Sequence, residues 1–371
     1  MQRRELYFIL VVAVATLALY LLPTGFENRE ALRDIAYAKS EVVAADDSDL
    51  TSISIVTMGT QLVELRLLSG SHKGEVVEAR NELLGDTRRD KIFAVGDRVL
   101  CRMRVGSDGA VVDSVAEEFY RADLSLLLLV GFVVLLIVVA GRTGAKSALS
   151  FLFTALAFAK LLLPGVLRGY SPLLLSVGVV FATTSVITLL VGGVTRRGFV
   201  ALAGAMIGVA TTAAMALLFG SLFHIPSTVM EYSETLLYAG FVDLNLSEIF
   251  ISCIFISSAG AVMDVAMDIA AAQDEIVDRA PNLSCGELIR SGLNIASPVV
   301  GSMTTTLLFA YSGSYMFAFM LFMSQGAPLE SIVNRGFVAA EILHTMVGSF
   351  GLVLVAPITA IVGGVVYRAR V

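Results

Sequence analysis

Eight apolar runs govern what this chain can fold into: about 6–22, 123–140, 147–167, 171–191, 198–220, 246–271, 298–324 and 337–366. Each is long enough to cross a bilayer as a helix, which takes about 17–25 residues. Inside lipid a single apolar segment can satisfy its own backbone only as a helix. Composition agrees, with 56% hydrophobic residues, 16% charged residues and a mean hydropathy of +0.82. A net charge of −6 argues against a nucleic-acid partner, which would require a basic patch. Cys101, Cys253 and Cys285 fall in three different segments with no CxxC spacing. The pattern therefore predicts no disulfide framework and no metal or redox site.

The first run, LYFILVVAVATLALYLL, follows Arg3 and Arg4 and ends without a small-residue cleavage site. It is read as an uncleaved anchor within residues 1–27. Residues 28–121 change character to charged, Gly-punctuated and strand-like. QLVELRLLSG followed by HKGEVVEAR reads as two strands joined by a Gly-Ser turn. AVGDRVLCRMRVGSDGAVVDSVAEEF reads as a second hairpin with Asp108-Gly109 at its turn. With residues 36–46 this makes about five short strands, whose alternating apolar faces a small barrel of OB type would bury. The predicted fold is a polytopic α-helical membrane protein with about eight transmembrane helices. A small all-β, OB-like domain lies between helices 1 and 2, and residues 122–371 form a seven-helix membrane domain.

Lysine and arginine in the short connections set the orientation. With a cytoplasmic N-terminus, the inner segments hold Arg3, Arg4, Arg142, Lys146, Arg196, Arg197, Arg279, Arg290, Arg368 and Arg370. The short outer connections hold only Arg168 and Arg335. Both termini are expected inside and the β domain outside. GAMIG (204–208), Gly260, Gly301, Gly348 and Gly351 are expected at close helix contacts. Pro357 is expected to kink the last span, and Pro298 to open the seventh.

Asp264 and Asp268 carry the strongest functional signal. Their spacing of four puts both carboxylates on one helix face, in a stripe with Ser257, Gly260 and Glu275. Acids within a membrane span are rare and often functional, and two close carboxylates can bind a cation or share a proton. Asn334, Glu341 and His344 open the last span, with Asn334 and Glu341 two turns apart on one face; the Glu-His pair reads as a proton relay or as interfacial anchors. Lys160 either snorkels outward or pairs with an acid at its depth, and Glu341 is the named partner. Thr304 and Thr305 either bond back to their own helix or line a polar site with Asp264, which Tyr311 and Ser312 would extend.

GAVMDVAMDIAAAQDEI (260–276), GSMTTTLLFAYSG (301–313) and NRGFVAAEILHTMVGSFGLVLVAPITA (334–360) resemble the YibE/F family of bacterial multipass membrane proteins. The likeness extends to the anchor and to LLSGSHKGEVVEARNELLG and VGDRVL in the outer domain. The family's seventh-span motif resembles GTMTNTLILAY, from which this chain departs at Ser302 and Thr305. The resemblance implies an inner-membrane protein with a transporter-like layout and no established substrate.

No enzyme signature is found. GRTGAKS (141–147) lacks the Gly-Lys step of a phosphate-binding loop, there is no HExxH, and one Glu-x-x-His does not make a di-iron site. The chain is therefore expected to be no enzyme and to carry no cofactor and no metal. Its expected partners are the lipid bilayer, a small solute or ion, and a protein at the β domain. Two functional readings stand: an ion-coupled transporter or permease, and a membrane scaffold that docks partners through its β domain.

Overall fold

The computed structural model describes residues 3–26 and 34–368, leaving out the side chain of Ser314. Residues 28–33, at the predicted start of the β domain, and Arg370 lie outside the described residues. The described chain forms two compact units, one of residues 25–135 and one of residues 1–24 with 136–371.

The first unit is built on six strands: β1 (Ile35–Asp46), β2 (Thr51–Ile53), β3 (Val56–Leu67), β4 (Val76–Leu84), β5 (Arg98–Val105) and β6 (Val111–Phe119). Five of them close a mixed barrel in the order β1-β3-β4-β6-β5-β1, and β2 only pairs the start of β3. Both predicted hairpins form, β3 with β4 and β5 with β6. The turn of the second places Gly109 at φ 81°, a conformation glycine adopts without steric cost. The seam between β4 and β6 is parallel and rests on one register pair, Arg80 with Val115. Inward alternation fills the barrel with Val42, Val63, Leu65, Leu67, Val99, Cys101 and Met103, and Phe93 from the segment between β4 and β5 joins them. Among these apolar side chains sits Gln61, which satisfies both ends of its amide. It donates to Asp47 Oδ1 (2.7 Å) and Phe93 O (2.8 Å) and accepts from Phe93 N (3.0 Å) and Asn81 Nδ2 (2.9 Å).

The helices are α1 (Arg3–Leu21), α2 (Ala122–Ala157), α3 (Leu163–Leu167), α4 (Pro172–Val191), α5 (Arg196–Leu222) and α6 (Ser233–Tyr238). They are followed by α7 (Leu246–Arg279), α8 (Cys285–Ser312), α9 (Met316–Ser324), α10 (Leu329–Val333) and α11 (Gly336–Arg368). Seven helices among the described residues are long and apolar enough to cross a membrane. The eight predicted runs all fall in helices, but 123–140 and 147–167 belong to one continuous stretch, 122–167, broken at Gly141 (φ 57°, ψ −127°). The corner there is tight, because a Cβ on Gly144 would lie 2.1 Å from Leu136 O. Further along, Phe158–Leu162 makes a π-helical turn in which Leu163 N bonds Phe158 O. Pro164 follows it and has no N–H to offer Lys160 O, which favours the wider turn.

Side-chain caps mark where the other long helices start. Ser171 accepts from Leu174 N ahead of α4, Thr195 from Gly198 N ahead of α5, and Asn245 from Glu248 N ahead of α7. Ser284 and Glu287 form a capping box ahead of α8. This cap corrects the seventh span, which starts at Cys285 and not near Pro298. Pro298 is interior to α8, and the chain breaks instead at Gly313–Tyr315 before α9. α11 runs through Pro357 without interruption.

α5, α7 and α11 pack together through small residues, as the glycine pattern predicts for four positions, among them Gly204, where a Cβ would meet Thr359 Oγ1 at 2.2 Å. A Cβ on Gly208 would meet Val262 at 2.7 Å, one on Gly351 would meet Thr212 Oγ1 at 1.8 Å, and one on Gly348 would meet Ser258 Cβ at 3.2 Å. Gly260 and Gly301 do otherwise, since nothing lies within 4 Å of a Cβ at either. Gln273, fully buried on α7, ties this core together by donating to Leu288 O (3.2 Å) and Ala360 O (3.0 Å).

Candidate functional site

α7 packs against α4, α5, α8 and α11, and the residues it buries cover one broad face. The remaining face carries Ser257, Gly260, Asp264, Asp268 and Glu275, all exposed in the single chain. That is the stripe read from helical spacing, and it runs outward from the core. At 1.5 Å per residue, Ser257 and Asp264 are about 10 Å apart along the axis, and Asp264 and Asp268 about 6 Å. Gly260 leaves the space between Ser257 and Asp264 open.

At one end of the stripe, side chains from three helices converge. Ser257 Oγ on α7 is hydrogen-bonded to His344 Nε2 on α11 and also donates to Ile254 O at 3.0 Å. The ring of Tyr311, near the end of α8, lies 4.6 Å from the His344 ring. Glu341 lies one turn before His344 on α11, and the Tyr315 ring stacks on Phe337, one turn before Glu341, at 6.1 Å. Tyr311 lies just before the α8 break at Gly313–Tyr315, and Tyr315 ends that break.

The structure thus brings His344 together with Ser257 and Tyr311, with Glu341 one turn away on α11. Asn334, Thr304 and Thr305 make other contacts. Asn334 caps α10 by donating to Glu330 O at 2.8 Å, and α11 begins only at Gly336. Asn334 and Glu341 therefore do not share a continuous helix face, which corrects the expectation from spacing. Thr304 and Thr305 turn their hydroxyls back to Gly301 O, at 3.0 and 3.5 Å, as threonines in helices commonly do. No hydrogen bond joins them to Asp264 among the described residues. Lys160 sits half-buried in the π-helical turn. Among the described residues no group of three His, Cys, Asp or Glu side chains converges as a metal site.

Three contributors had little or no sequence signal. Tyr315 follows a helix break that periodicity does not show. Ser257 lay on the acidic stripe, but its bond to His344 spans 87 residues of sequence. Glu248, in the first turn of α7, accepts from Ser171 Oγ (2.7 Å) and from Leu173 N (3.4 Å), tying α7 to the start of α4.

Residues 128–369 match a family model described as YibE/F-like protein. No curated protein and no solved structure matches the chain.

Proposed function

The chain belongs to the YibE/F-like protein family, and we propose that this member is an ion-coupled transporter or permease of the bacterial cytoplasmic membrane. Both termini are cytoplasmic and residues 28–121 lie outside, a topology supported by the crowding of Lys and Arg into alternate connections. One observation carries the transport reading. A single face of α7 presents an uncovered polar lane from Ser257 to Asp268, and its Ser257 end joins the Glu341 and His344 cluster. Ionisable groups at membrane depth turn to water or to polar partners and away from lipid, so this lane is a solvated or covered path within the membrane. Asp264 is its ion-binding carboxylate, Asp268 connects it to the cytoplasmic side, and the Glu341 cluster connects it to the outer side.

The scaffold reading is favoured by a different observation. Ile53, Ile55, Met58, Leu84 and Ile92 of the barrel are all exposed, and Met58 and Leu84 are direct cross-strand partners. Such an apolar group suits a protein partner. Reconstitution into liposomes separates the two: a transporter raises ion flux under an imposed gradient above that of empty vesicles. Flux equal to empty vesicles for protons, sodium and potassium favours the scaffold.

A further inference from the structure

We infer that the ion moved along this lane is a proton, and that Ser257 passes it between the Glu341–His344 cluster and Asp264. The inference rests on the transport reading above and adds the identity of the ion and a residue role.

A metal cation needs several oxygen ligands converging on one point, six to eight for calcium and six for magnesium. The polar groups of the lane are instead strung out in single file. Ser257 and Asp264 are about 10 Å apart, with an open glycine between them. Each polar side chain in the file can both give and take a proton, as a relay requires. Around His344 the titratable neighbour from α8 is Tyr311, and Tyr315 lies against Phe337, one turn before Glu341. Beside Asp264 the neighbour is Asp268.

Ser257 is the pivot because its one hydrogen has two acceptors, Ile254 O and His344 Nε2. With neutral, unprotonated Nε2, Ser257 donates to the ring. With Nε2 protonated, the ring donates to Ser257 and the serine hydrogen turns away. A transfer toward Asp264 follows from that second arrangement. Nε2–H gives its proton to Ser257 Oγ as the serine's own hydrogen leaves to the first of a short file of waters on the open Gly260 face; each water passes on one proton, and the last protonates the Asp264 carboxylate. One O–H or N–H bond forms for each that breaks, and the net movement is one proton. Asp264 then passes it to Asp268 one turn on.

The test uses the full chain in liposomes loaded with a pH-sensitive and a sodium-sensitive dye, at a potential clamped by potassium and valinomycin. The expected result is a change in lumenal pH with constant lumenal sodium. S257A should slow that flux on the order of tenfold or more, and S257T, which keeps the hydroxyl, should restore most of it. Sodium movement at constant lumenal pH, or S257A equal to wild type, would overturn the proton assignment and leave ion transport standing. Wild-type protein that moves neither ion would remove the transport reading itself. A monodisperse elution profile for S257A shows that loss of flux is not loss of fold.

Discussion

Gly351 shows how much of the helix core is decided by single atoms. A methyl group there would sit 1.8 Å from Thr212 Oγ1, whose hydroxyl is already committed to Gly208 O at 2.9 Å. Gly351→Ala should destabilise the protein by about 1–3 kcal/mol, the usual cost of overpacking. Thermal unfolding in detergent should show the loss, and adding Thr212→Ala, which removes the colliding oxygen, should recover part of it. Cys101 makes the same point in the barrel. It is fully buried, and burial pushes its thiol up to about 12. Since the thiolate is the nucleophile, Cys101 should resist iodoacetamide at neutral pH in the folded protein and react once the barrel is unfolded, as mass spectrometry of its peptide would record. Sequence predicted small residues at close contacts but could not say which glycines have neighbours. Gly351 meets Thr212 across 139 residues of chain, whereas Gly260 and Gly301 face open space. Contact partners distant in sequence leave no periodic signal.

Elements were legible where their pattern is local. The barrel strands follow from alternation and from glycine turns, and the helices follow from apolar run length. The misplaced start of α8 has a clear cause. Residues 285–297, with Glu287, Arg290, Asn294 and Ser297, are too polar for a membrane run, yet a capping box at Ser284 nucleates the helix there. Pro298 thus falls inside a helix, where it leaves Asn294 O without its usual donor. The barrel also carries a pH-sensitive tie. Burial pushes Glu118 up, but hydrogen bonds from Lys91 and Arg121 outweigh it and hold the carboxyl below its ordinary 4.5. A depressed folded-state pKa means this stabilisation is present above about pH 4.5 and is lost as the pH falls through the folded value. Hydrogen exchange in β5 and β6 should therefore quicken on acidification below that pH in wild type. Glu118→Gln should show faster exchange already at neutral pH and a flatter acid response; an unchanged profile would remove Glu118 from the account. Because Glu118 is 40% exposed, solvent screens the effect and it should be modest.

Across the whole molecule, sequence supplied the membrane architecture and the acidic stripe, while the fold supplied what the stripe connects to. The α7 face follows from helical periodicity alone, so Asp264, Asp268 and Ser257 were aligned before any contact was known. The cluster of Ser257, Tyr311 and His344 joins α7, α8 and α11, with Glu341 one turn from His344, and only tertiary packing assembles it. The same packing leaves Asn334 as a helix cap and turns Thr304 and Thr305 back on their own helix. Asp264 is proposed as the carboxylate through which ions cross. Gradient-driven ion flux in liposomes should be compared among wild type, Asp264→Asn and Asp264→Glu. Wild type should carry flux, Asp264→Asn should fall to the level of empty vesicles, and Asp264→Glu should keep part of it. Wild-type flux in Asp264→Asn would remove Asp264 from the ion path.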